Sequence, residues 1–180
     1  MRGIVFTELL ELVENKFGYE TVDKVLQKAK PITSDAYTSV GSYPHRELVS
    51  ILVELSQELD MSIGDLMELY GHHLFGVFGQ RYSSLFIPGI DAFTFLASVE
   101  DHIHPEVLKL YPDAELPKFD IESKDHSELI MVYHSKRKMG DFALGLIKGC
   151  LDYFDEQADI LMEKLNDDAT TVRFTIRRRA

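Results

Sequence analysis

The hydrophobic pattern of this 180-residue chain first changes its period at Tyr111-Pro112. Before that point apolar residues recur at the spacing of a helix buried on one face, and after it strands alternate. Apolar residues at 5, 6, 9, 10, 12, 13 and 17 form one helical stripe, Val5 to Phe17, that stops at Gly18. Val22, Val25 and Leu26 mark a second helix between Thr21 and Ala29, and Glu47 to Leu59 a third. Ser62-Ile63-Gly64-Asp65 opens a fourth, which runs through Leu66, Leu69, Tyr70 and His73 to Phe78. Loop is expected over 31–45, where Pro31, Ser34, Asp35, Gly41, Ser42 and Pro44 cluster, and over 79–89. Ile90 to Lys109 reads as helix with a kink or break at Pro105, which has no N–H to give the helical ladder.

Pro112 and Pro117 then bracket a non-helical passage. Phe119 to Glu122 and Leu129 to His134 read as strands, and Lys138 to Tyr153 as a helix with two apolar faces, suited to burial between layers. Ile160–Leu165 and Thr171–Ile176 form a hairpin around Asn166-Asp167-Asp168. Val172, Phe174 and Ile176 alternate with Arg173, Thr175 and Arg177, the pattern of a half-exposed strand. The fold class is α+β: helices first, then a small antiparallel sheet with one long helix.

Composition excludes several functions. The net charge of −11 repels phosphate backbones, which argues against nucleic acid. No apolar run reaches the roughly 20 residues that span a bilayer. Glu8, Glu11 and Glu14 interrupt any signal-peptide core, so no membrane role and a cytoplasmic location are expected. Cys150 is the single cysteine, so neither an intrachain disulfide nor a cysteine-based zinc site can form. It reads as a small core residue. Arg177-Arg178-Arg179 reads as a solvated tail or as a docking patch for an acidic partner.

The chemistry concentrates in two places. If the strand from Glu128 continues, Tyr133, Ser135 and Arg137 share one face and present a phenol, a hydroxyl and a guanidinium side by side. Such a row suits a pair of carboxylates or a phosphate. Taken alone it also suits an ordinary half-exposed strand face. His104 follows an apolar helical stretch, and is either a satisfied core residue or a metal ligand with neutral imidazole. A single histidine plus a separate carboxylate clamp matches what haem needs, an axial nitrogen and donors for two propionates. A cluster of His72, His73, His102 and His104 lacks the carboxylate or cysteine pattern of a metal site, and His102 is expected at the surface.

His104-Pro105-Glu106-Val107, Leu110-Tyr111-Pro112, Leu116-Pro117-Lys118-Phe119 and Tyr133-x-Ser135-x-Arg137 occur in order, after the opening Met1-Arg2-Gly3-Ile4-Val5. Together they resemble the haem nitric oxide/oxygen binding (H-NOX) family, the gas-sensing domain also found in soluble guanylate cyclase. The resemblance covers the whole chain and implies a single domain, 1–180. A distal helical part, about 1–60, would pack on a larger proximal part, about 61–180. It implies haem b (iron protoporphyrin IX) with His104 as axial iron ligand. Tyr133, Ser135 and Arg137 would bind the propionates, and Pro117 would press the porphyrin out of plane.

In oxygen-binding members the run after the clamp is R-K-M-Y, whereas here it is Arg137-Lys138-Met139-Gly140. The positions that match the gas side are Val5, Leu9, Leu74, Phe78, Gly140 and Leu144, and none offers a hydrogen bond. The resemblance therefore implies a nitric oxide sensor, also open to carbon monoxide, that discriminates against dioxygen. Nitric oxide would weaken the iron–His104 bond. The chain ends just after the hairpin, so output is expected to pass to a separate histidine kinase or diguanylate cyclase. A haem enzyme or a haem carrier without a sensing role is the alternative. The enzyme is disfavoured because the gas-side positions hold no acid, base or arginine.

Overall fold

A computed structural model describes residues 1–30 and 36–179. Of the loop expected over 31–45, residues 31–35 therefore lie outside the described residues. The chain divides into two compact units, Met1–Tyr70 and Gly71–Ala180.

In the first unit α1 (Gly3–Phe17), α2 (Tyr19–Ala29), α3 (His45–Leu59) and the opening turns of α4 (Ile63–Arg81) carry out the helical periodicity. α1 stops where Gly18 takes φ +89°, a conformation that costs a residue with a Cβ. The stripes converge: Phe6, Leu9, Leu12, Val25, Leu48, Ile51 and Leu55 are all buried. Each such side chain contributes about 1.5–3 kcal/mol relative to exposure. Two carboxylates, Glu8 and Glu47, are buried with them. Tyr37 stacks on Phe6 with ring centroids 4.5 Å apart and donates its hydroxyl hydrogen to Glu47 at 2.9 Å. Tyr70, the last residue of this unit, donates its hydroxyl hydrogen to the Val5 carbonyl and so ties α4 to α1.

Among the described residues of the second unit, four strands form an antiparallel sheet in the order β1-β2-β4-β3. They are β1 (Lys118–Lys124), β2 (Glu128–His134), β3 (Ala158–Lys164) and β4 (Thr171–Arg178). The central pair is in register with Leu129 opposite Ile176, Met131 opposite Phe174 and Tyr133 opposite Val172. That face is buried together with Phe93, Phe95 and Leu96 of α5 (Ala92–Ala97) and Ala143, Ile147, Cys150 and Leu151 of α7 (Gly140–Tyr153). Cys150 is a buried core thiol whose pKa burial pushes up. The later part of α4 lies close against α7: a Cβ at Gly71 would meet the Phe142 carbonyl oxygen at 2.2 Å.

The helix expected from Ile90 to Lys109 is broken into three pieces. α5 is capped by Asp91, whose carboxylate accepts the Thr94 N–H at 2.8 Å. A π-helical turn, Val99–Ile103, follows, and then α6 (His104–Leu110). The Ile103 N–H reaches back five residues to the Ser98 carbonyl at 3.4 Å. Pro105 lies in the first turn of α6, where its missing N–H costs least.

The arginine run is not a tail. Arg177 and Arg178 belong to β4. Arg177 pairs with Glu128, Arg178 with Asp91 and Glu156, and Arg179 with Asp159. These cations are spent on the protein's own carboxylates, which weakens the case for a docking patch.

Candidate functional site

His104 opens α6 directly after the π-helical turn, and its side chain is only 13% exposed. Burial pushes its pKa below the ordinary histidine value, against the opposing pull of Glu100. The imidazole is therefore neutral at pH 7, the form that binds a metal. Its Nδ1 lies 3.3 Å from Glu100 Oε2, one helical turn back. The same carboxylate oxygen accepts the backbone N–H of Phe119 at 2.9 Å. The Phe119 ring bridges from His104, at 6.0 Å between centroids, to Tyr133, at 5.6 Å.

The row Tyr133, Ser135 and Arg137 is not a strand face. β2 ends at His134, and Ser135 to Lys138 form a turn. Lys138 adopts φ +56°, which reverses the chain into α7. Hydrogen bonds from backbone N–H groups to the Ser135 and Tyr133 side chains, rather than the period of two, shape this turn. Ser135 Oγ accepts the Arg137 N–H at 3.2 Å, and the Tyr133 hydroxyl accepts the Met139 N–H at 3.2 Å. Burial raises the Tyr133 phenol pKa, partly offset by hydrogen bonds from Ser135 and Met139 and by the charge of Arg137. The phenol therefore stays protonated.

An open cavity of about 440 Å³ lies at this turn, lined by Ser135 and Arg137 together with Lys118, Lys136, Glu115 and others. Sequence reasoning overlooked Lys118, Lys136 and Glu115, although Lys118 and Lys136 stand inside the motifs it used. Arg137 already holds a carboxylate: its Nη2 donates to Glu115 Oε2 at 2.6 Å and its Nη1 to the Glu115 carbonyl at 3.1 Å. Glu100 was overlooked as well, and its place four residues before His104 was the available signal.

The positions expected on the gas side are apolar in both units. In the first, Leu9 is buried and Val5 half-buried. In the second, Leu74 and Gly140 are buried, and Phe78 and Leu144 half-buried. Gly140 opens α7, and a Cβ there would meet Val172 Cγ2 at 3.1 Å. Pro117 is half-buried immediately before β1. His102, expected at the surface, is half-buried in the π-helical turn, and His72 pairs with Asp152 at 2.6 Å. Among the described residues no group of three or more His, Cys, Asp or Glu is placed to hold a metal ion. No helix of the described residues is long and apolar enough to cross a membrane.

A neutral buried imidazole, and a turn whose guanidinium already takes a carboxylate beside a phenol and a hydroxyl, fit a group with one metal to ligate and acids to hold. A family model described as Haem-NO-binding matches residues 2–162. The unliganded Fe(II) H-NOX protein from K. algicida is similar over 100% of this chain and 97% of its own, with 43% identity and a TM-score of 0.95. The Shewanella woodyi H-NOX in its Fe(II)CO state is 39% identical over 99% of this chain and 95% of its own, with a TM-score of 0.84. The S. oneidensis H-NOX in its Fe(II)NO state covers 100% of both chains with 27% identity and a TM-score of 0.91. Comparison with curated proteins gives no match. On the strength of the family model and these structures, the chain belongs to the Haem-NO-binding, or H-NOX, family.

Proposed function

We propose that this protein is a nitric oxide sensor that binds haem b and discriminates against dioxygen. His104 offers the axial nitrogen. Tyr133, Ser135 and Arg137 offer one phenol, one hydroxyl and one guanidinium to the propionates, each charge-assisted bond contributing about 1.5–3 kcal/mol. Pro117, half-buried immediately before β1, would be the residue that presses on the porphyrin. When bound, haem would supply a ferrous iron able to take nitric oxide or carbon monoxide, and the bond to His104 would be the one that nitric oxide weakens.

The reading against dioxygen is carried by one observation. Val5, Leu9, Leu74, Phe78, Gly140 and Leu144 include no hydrogen-bond donor in their side chains. Bound dioxygen gains from such a donor and nitric oxide does without one. The buried hydroxyl of Tyr70 donates to the Val5 carbonyl, so its proton is already committed. Loss of a tether at His104 would free α6, a local change of the kind that biases a two-state switch. The signal then passes to a separate histidine kinase or diguanylate cyclase in the cytoplasm.

The ferrous protein is expected to bind nitric oxide and carbon monoxide and to keep its unliganded absorption spectrum in air. A stable oxygen complex at equilibrium sinks the proposal. The same positions hold no general acid, base or arginine, so the domain is proposed not to be an enzyme. Peroxide-dependent turnover would favour the haem-enzyme reading instead, and rapid haem loss without a gas response a carrier.

A further inference from the structure

Glu100 joins three parts of the second unit through one carboxylate oxygen. It lies on the π-helical turn, 3.3 Å from the Nδ1 of His104. The same Oε2 accepts the N–H of Phe119 at 2.9 Å, and Phe119 belongs to β1, an edge strand of the sheet. An N–H bond from β1 to this oxygen ties the carboxylate facing His104 to the sheet. A histidine that ligates a metal through Nε2 has its orientation, tautomer and basicity set by what accepts its other N–H.

We propose that Glu100 is a positioning residue for His104: it accepts the Nδ1–H, leaves Nε2 as the ligating nitrogen, and sets the strength of the iron–histidine tether. The proposal rests on the haem reading above. A carboxylate acceptor makes the imidazole a stronger donor than a backbone carbonyl or water would. Glu100 therefore holds His104 against release, and the Phe119 bond couples that hold to β1. The response to nitric oxide is then a contest between the gas and this carboxylate.

The test uses the haem-loaded protein with Glu100→Gln and Glu100→Ala. The readouts are the iron–histidine stretching frequency of the unliganded ferrous state by resonance Raman and the five-coordinate fraction after nitric oxide addition. The expected result is a stretching frequency that falls in the Gln variant and further in the Ala variant. The five-coordinate fraction rises in the same order. Haem affinity drops about 10–100-fold in the Ala variant, the usual size of losing such a partner. Glu100→Gln keeps an acceptor for the Phe119 N–H, so it carries the test if Glu100→Ala does not fold. An unchanged frequency in the variants, with only thermal stability lowered, overturns the role of Glu100 and leaves the haem reading standing. A wild-type protein that takes up no haem overturns both.

Discussion

His104 and the Tyr133–Arg137 turn both serve the same candidate site, yet they are built in opposite ways. His104 is one enclosed side chain whose chemistry is set by what covers it: burial keeps it neutral and a single carboxylate faces its Nδ1. The turn is open, cationic and collective. Ser135 and Tyr133 hold the backbone that presents Arg137, and Arg137 reaches a carboxylate from outside the turn. An enclosed single ligand gives an all-or-none function, whereas a shared clamp spreads its hold over several donors and degrades in steps.

Substitution should expose that difference. His104→Gly is expected to have the largest effect, abolishing the spectrum of the histidine-ligated ferrous haem, and added imidazole should restore it. A variant with an unaltered spectrum would move the ligand elsewhere. At the clamp, Arg137→Ala should weaken haem retention about tenfold or more, since it removes bonds each worth about 1.5–3 kcal/mol. Ser135→Ala removes one hydroxyl donor and no charge, whereas Arg137→Ala removes a cation with several N–H donors, so the serine variant should cost less. Haem transfer rates to an apo-globin acceptor would rank them, and a larger loss at Ser135 would show the turn to matter more than the charge.

The smallest effect lies in the turn between β1 and β2. The Ser127 N–H and hydroxyl and the Glu128 N–H all donate to Asp125, which holds its carboxyl down to about 2 from 3.8. A depressed folded-state pKa adds stability that is present above the unfolded value and lost as pH falls towards about 2. An NMR titration of the Asp125 carboxyl should find its midpoint there. A midpoint near the ordinary value would mean the turn is not closed in solution.

The same contrast explains what could be read in advance. The α1 to α4 helices and the strands follow from residues whose neighbours repeat with a fixed period, and each lies within a few residues of its expected bounds. His104 stands out as a candidate from sequence alone because one imidazole carries its chemistry whatever the local geometry. The π-helical turn before it does not, because Pro105 announces a break without saying that the preceding turn widens by one residue. The strand-face reading of Tyr133, Ser135 and Arg137 fails because β2 ends at His134. A lysine at φ +56° ends the strand pattern, and nothing in the side chain of Lys138 advertises that conformation as a glycine would.

The Arg137–Glu115 pair changes the arithmetic of filling the clamp. Glu115 is 83% exposed, so the guanidinium is held by a tethered acid that water can reach and pull away. Any acidic guest arriving at Arg137 swaps one carboxylate for another. Its net gain is its own bond to Arg137 less the weak, water-exposed pair it displaces, a smaller sum than a bare guanidinium would give.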